Sequence, residues 1–567
     1  MSFGYGFGLP SWQPLSGGFN PSSLFVGGVQ GTWFDPSDPD TLFSDTAGTT
    51  PSPTPGGGAL SVVGLMLDKS QGLALGSELV TNGDFSNGTT GWTAYASTLS
   101  VSGGEVTVTN SGVNYGEIYQ TVTTVVGQMY KISATLRVGT AATVNLRAET
   151  ALTAGNLFQQ TTSSASNVVI SGYFVATGTS TIVGCANANT NNGTGIFDNI
   201  SVKSIAGNHA ISYNTTTARP ELSARVNLLT YSEQINGGVG TWFNNNSPTV
   251  TTNNPDPNGT NTASKIVVNG TSVNQGVYVN VTAIPAGQSG LFSVWLRGEV
   301  GGEIVQIGDA GSRQNVTLTT SWQRFSNPSH VLTSTFHVIY AKDNTAMTFY
   351  AWGADCRPSN IGTSVPAYQR IADQYTYDSN GFPRYLIANG TATGMYTPNN
   401  LNLSGTDKVT VFAGVRKLSD AASGIVCEFS VNWNNNTGTF ISVAPDVTAP
   451  NGDYVAASRG TAASNINQFA RSAITPAPVT NVVTATHDIP GDLSAIRLNG
   501  AANGTNGTGD KGLGNFGTYP LYIGARNNTS NWLNGYLYSL IVVGAASTAA
   551  QISSTESWIN VKEGTVY

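Results

Sequence analysis

From residue 78 onward, apolar side chains recur at every second position, in short runs punctuated by Gly, Asn and Ser. Examples are Glu105-Val106-Thr107-Val108-Thr109, Tyr130-Lys131-Ile132-Ser133-Ala134-Thr135-Leu136 and Leu291-Phe292-Ser293-Val294-Trp295-Leu296-Arg297. A period of two fits a half-buried strand and cannot be accommodated on one face of a helix. The chain is expected to be all-β. Polarity comes from Thr, Ser, Asn and 67 Gly, while Asp, Glu, Lys and Arg make up only 10% of the residues, against about 25% in an ordinary soluble domain. Such residues serve turns and solvated sheet faces and disfavour helix interiors. The best helix candidate is Ser547 to Lys562, with apolar residues at i, i+3 and i+4 spacing.

A chain of 567 residues has room for several cores. The alternating runs divide into three sandwich-sized blocks. Residues 76–205 open at Leu79-Val80-Thr81-Asn82-Gly83-Asp84-Phe85 and close at Phe197-Asp198-Asn199-Ile200-Ser201-Val202. Residues 223–375 and 376–567 form the second and third blocks, and 206–222 reads as a polar linker. Residues 1–75 interleave Phe3, Tyr5, Phe7, Trp12, Trp33 and Phe34 with Gly and Pro. This pattern is too interrupted for a core of its own, so these rings are expected to be buried by a partner surface or packed on the first sandwich.

The net charge of −7, without a Lys/Arg cluster, argues against nucleic-acid binding, which needs a basic stripe. No apolar run reaches the ~20 residues of a membrane helix, and no secretory signal is read at the N-terminus, so synthesis in a cytoplasm and no membrane insertion are expected. Cys185, Cys356 and Cys427 are dispersed and odd in number, which argues against a disulfide framework. Catalysis is not expected. The four histidines, His209, His330, His337 and His487, accompany no Gly-x-Ser-x-Gly elbow. The scarce strand carboxylates Glu105, Glu117, Glu303 and Glu428 read as solvated-face residues.

The first block resembles carbohydrate-binding-module jelly rolls through Asn82-Gly83-Asp84-Phe85, Gly91-Trp92 and the closing Phe197–Val202 segment. The third resembles laminin-G or concanavalin-type sandwiches through Leu521-Tyr522-Ile523-Gly524 and Asn534-Gly535-Tyr536-Leu537-Tyr538. The combination, with Trp33-Phe34-Asp35-Pro36-Ser37, residues 63–70 and residues 225–233, is similar to tailed-bacteriophage virion proteins of the tail-fibre or head-spike type. This resemblance implies a homotrimeric appendage on the virion surface, docked to tail, collar or capsid proteins by residues 1–75 and binding host-surface glycans. A purely structural head fibre or decoration protein and a glycan depolymerase remain as alternatives. Trp92, Tyr115, Tyr119 and Trp532 are the sugar-stacking candidates, with core packing as the competing reading for Trp92. No cofactor is required on this reading. The jelly-roll resemblance also implies a structural calcium near Asp84 and Asp198, either of which is otherwise a turn residue.

Overall fold

The computed structural model describes residues 18–111, 115–152, 154–188, 192–213, 219–284, 286–358, 365–446, 452–462 and 469–564. Among these residues the architecture is almost entirely β, in three sandwiches. The first packs the sheet Ala154–Thr162, Thr143–Ala151, Ser180–Ala188, Tyr115–Thr123, Thr93–Tyr95 onto a second sheet centred on Met129–Val138 and Thr194–Ile205. Their alternate residues, among them Val108, Ile118, Leu136, Leu146, Phe174 and Phe197, form one core. The second packs Trp242–Asn245, Gly276–Asn280, Phe336–Ala341, Ile304–Asp309, Ser312–Thr317 against a sheet built around Ser289–Gly298 and Met347–Pro358. Trp242, Val279, Phe292, Ile339 and Phe349 lie between them.

The third sandwich draws on far more of the chain than residues 376–567. Gly31–Phe34 pairs with the end of Asn534–Val543, Gly31 opposite Val543 and Phe34 opposite Leu540. Leu42–Phe43 pairs with Leu65–Met66, and that strand with Ala210–Ser212, which pairs with Met395–Tyr396. Glu221–Ser223 pairs with Tyr385–Asn389. Phe34, Leu42, Val63, Met66, Ala210 and Leu222 therefore share a core with Val411, Phe440 and Leu540. The expected linker supplies two strands of this sandwich, and residues 31–66 supply three more. The first and second sandwiches emerge as insertions. One leaves after Met66 and returns at Ala210, and the other leaves after Ser223 and returns at Tyr385.

Trp33 and Phe34 thus correct the docking expectation: they are 5% and 0% exposed. Their partner surface is the chain itself. Trp33 meets Trp558 edge-on at 5.7 Å, and Leu24, Phe25 and Ile559 fill the same cluster. Asp68, fully buried, accepts from the Trp33 and Ser70 amides at 2.8 Å and from the Asn208 amide at 2.7 Å. Lys69 pairs with Asp38 at 2.6 Å and Asp35 at 3.3 Å. The segments 33–37 and 63–70 are two halves of one interlocked unit. Phe3, Tyr5, Phe7 and Trp12 lie outside the described residues.

The expected C-terminal helix forms as Ala549–Glu563, started by a Thr548/Gln551 capping box and stopped by left-handed Gly564. The three cysteines are free and buried. No helix among the described residues is long and apolar enough to cross a membrane.

Candidate functional site

Each sandwich leaves one sheet with an outer face that carries aromatic and polar side chains. On the second sandwich, Trp242, Val279 and His337 stand opposite one another across three strands, and Trp242 and Val279 point into the core. Side chains alternate along a strand, so their neighbours Phe243, Tyr278 and Phe336 must face outward. Phe243 stacks on Tyr278 at 5.2 Å, and Tyr278 meets Phe336 edge-on at 5.6 Å. Phe243 is 45% and Phe336 41% exposed, large values for rings with no polar atom. The polar border is held in place: Arg313 Nη1 donates to Asn274 Oδ1 at 2.5 Å, its guanidinium lies over the Tyr340 ring, and Gln306 Nε2 donates to Asn315 Oδ1 at 3.1 Å. Burial pushes the Tyr340 phenol up to about 12, Arg313 opposing and Tyr278 adding to the rise.

On the first sandwich, Thr93, Tyr119, Gly184, Arg147 and Gln159 stand in one cross-strand row, with Tyr95 opposite Glu117 in the next. Residues directly opposite share a face. Tyr119 is half-buried and Tyr95 is 39% exposed. Glu117 is not the solvated residue expected: it is 0% exposed, and neither carboxylate oxygen accepts a hydrogen bond from the described residues. It lies over Gly184, where a Cβ would come within 2.6 Å of its Oε1. Arg147 sits 3.6 Å from Glu117 and pairs with Glu149. Desolvation raises the Glu117 pKa to about 7, Arg147 opposing and Glu149 adding to the rise.

The remaining sequence candidates are scattered. Trp92 belongs to the core, packed on Phe85 at 5.3 Å with Nε1 donating to the Asn82 carbonyl at 2.9 Å. Trp532 is half-buried in the third sandwich, beside Gly394. The Tyr115 side chain lies outside the described residues. Asp84 is exposed and accepts from Ser86, while Asp198 holds the backbone and side-chain amides of Asn199 at 2.7 and 2.8 Å. Among the described residues no three of His, Cys, Asp and Glu form a set able to hold a metal. Glu303 and Glu428 also correct the solvated-face expectation, at 8% and 0% exposed. Glu303 accepts two backbone amides, and Glu428 takes the Trp433 amide and the Arg526 guanidinium. Glu105 remains half-buried in a bidentate pair with Arg137.

The platform Phe243–Tyr278–Phe336 was not among the sequence candidates. A signal was present: in Val277-Tyr278-Val279 the ring must take the face opposite to both valines.

No protein-family model matches the chain, and no curated protein matches it. Solved structures do. The tandem CBM22-1–CBM22-2 domain of Paenibacillus barcinonensis Xyn10C shares 12% identity, covering 50% of this chain and 98% of its own, with a TM-score of 0.20. Domain 4 of the arabinanase AbnA from Geobacillus stearothermophilus, in complex with arabinotriose, shares 12% identity over 34% of this chain and 82% of its own, TM-score 0.24. A CBM4 structure shares 16% identity over 23% of this chain and 94% of its own, TM-score 0.19.

Proposed function

We propose that this protein is a glycan-binding appendage protein that captures surface polysaccharide without cleaving it. The observation that carries this reading is the exposed ring platform Phe243–Tyr278–Phe336. Pyranose C–H faces stack on such rings, and bordering amide and guanidinium groups take the sugar hydroxyls. The Tyr95–Tyr119 face of the first sandwich offers a second, more polar surface of the same kind.

The virion setting draws its support from the sequence resemblance of residues 33–37, 63–70 and 225–233. In that setting the protein is made in an infected bacterial cell and sits on the particle surface beside other virion proteins. The exposed platform favours the binding appendage over a purely structural decoration protein.

The test is a glycan array probed with the full chain and with the Phe243→Ala/Phe336→Ala double variant. Both rings are exposed, so the variant keeps its fold. A tenfold or greater loss is expected on at least part of the glycans bound by the parent. Unchanged binding by the folded variant would remove the platform from the reading.

A further inference from the structure

The outer face of the nine-stranded sheet in the third sandwich forms a track that the second-sandwich platform does not explain. Across its strands Tyr396 stands opposite Tyr522, Tyr522 opposite Glu428, and Glu428 opposite Ile441. Tyr396 stacks on Tyr522 at 6.0 Å and meets Tyr213 edge-on at 5.8 Å, and Tyr213 is 54% exposed. Beyond Glu428 the track opens into a cavity of about 360 Å³. Its floor is the apolar row Ile425, Val443 and Val455, and its walls are Trp433 and Phe469. The other end of the sheet is closed, because Phe43, Leu65 and Ile211 pack against Met129, Tyr173 and Ile205 of the first sandwich.

Charge on this face is already matched. Arg471 pairs with Asp446 at 2.8 Å and Asp453 at 2.9 Å, and Arg526 pairs with Glu428 at 2.8 Å. Arg459 lies over the Trp433 ring at 4.8 Å. Three carboxylates and three guanidiniums sum to zero, on a chain whose net charge is −7. Such a face offers donors and acceptors side by side without an electrostatic pull on an anion. Rings and aliphatic floor suit the C–H faces of sugars, and the cavity is of ligand size.

From this we infer that the track from Tyr213 to the Trp433–Phe469 cavity binds a neutral oligosaccharide, one without uronic or sialic acid residues. The inference rests on the glycan-binding reading and extends it to a further, separate site, tested independently of the platform. The protein is the full chain carrying Phe243→Ala/Phe336→Ala, which silences the platform. The probes are neutral, uronic-acid-containing and sialylated oligosaccharides, measured by array and then by calorimetry.

Retained binding of neutral probes is expected, weakened at least tenfold by adding Tyr213→Ala/Tyr396→Ala or, separately, Phe469→Ala. An unchanged melting temperature in each variant would show that the loss is local. Three results overturn the inference: no residual binding in the platform variant, neutral binding indifferent to the tyrosine and Phe469 changes, or acidic probes binding as tightly as neutral ones. The first two leave the platform reading standing. A full chain that binds no oligosaccharide sinks both.

Discussion

At the scale of single residues, Glu117 shows what sequence can and cannot reveal. The alternation Glu117-Ile118-Tyr119 places Glu117 correctly on the sheet face opposite Ile118. What alternation does not carry is how much covers that face, and here Glu117 is wholly buried beside Arg147. Its folded pKa of about 7 lies above the ordinary value of 4.5, chiefly through desolvation. The folded state therefore binds a proton that the unfolded state has released, and stability falls as pH rises from about 4.5 to 7 and levels off above. Glu117→Gln keeps the shape without the charge. The variant is expected to lose this slope and to gain stability at pH 8, at most about 3 kcal/mol at 1.36 kcal/mol per pKa unit. Denaturant unfolding at pH 5 and pH 8 measures it; parallel pH dependences for parent and variant would refute the assignment.

At the scale of elements, strand identity was legible and strand partnership was not. Runs such as Lys408–Lys417 and Val479–Asp488 announce themselves by composition and turn spacing. Gly31–Phe34 does not, because its partner lies some five hundred residues away in Asn534–Val543. Read locally, Trp33-Phe34 is a pair of aromatics without a core, which is why it resembles a docking motif. The polar stretch 206–222 misleads for the same reason: Ala210–Ser212 and Glu221–Ser223 are too short for a period to show. The consequence is testable. A fragment of residues 376–567 lacks five strands that complete the third sandwich and would expose Val411, Phe440 and Leu540. It is expected to be insoluble or unfolded by circular dichroism, whereas residues 76–205, with a core of their own, fold alone. A cooperatively melting 376–567 fragment would contradict this account of the core.

At the scale of the whole molecule, the three faces proposed to bind glycan lie on three different sandwiches. The platform, the Tyr95–Tyr119 face and the tyrosine track occupy different sandwiches, so under the proposed function one extended polysaccharide would meet several sites. Effective concentration then multiplies modest affinities. We propose that copy number multiplies them further through a homotrimer. Light scattering on the purified chain is expected to return three times 58.9 kDa, and a monomer mass at micromolar concentration would dismiss the trimer.

The paired strands from which the two insertions hang also set where tension runs. Force applied between residues 31 and 543 enters the antiparallel pair they belong to and is borne by the third sandwich. The inserted sandwiches lie outside that strand pair. A load on an inserted sandwich would take another route, through Leu65–Met66 with Ala210–Ser212 or Glu221–Ser223 with Tyr385–Asn389. Each inserted sandwich is thus joined to the third by two neighbouring strands instead of one.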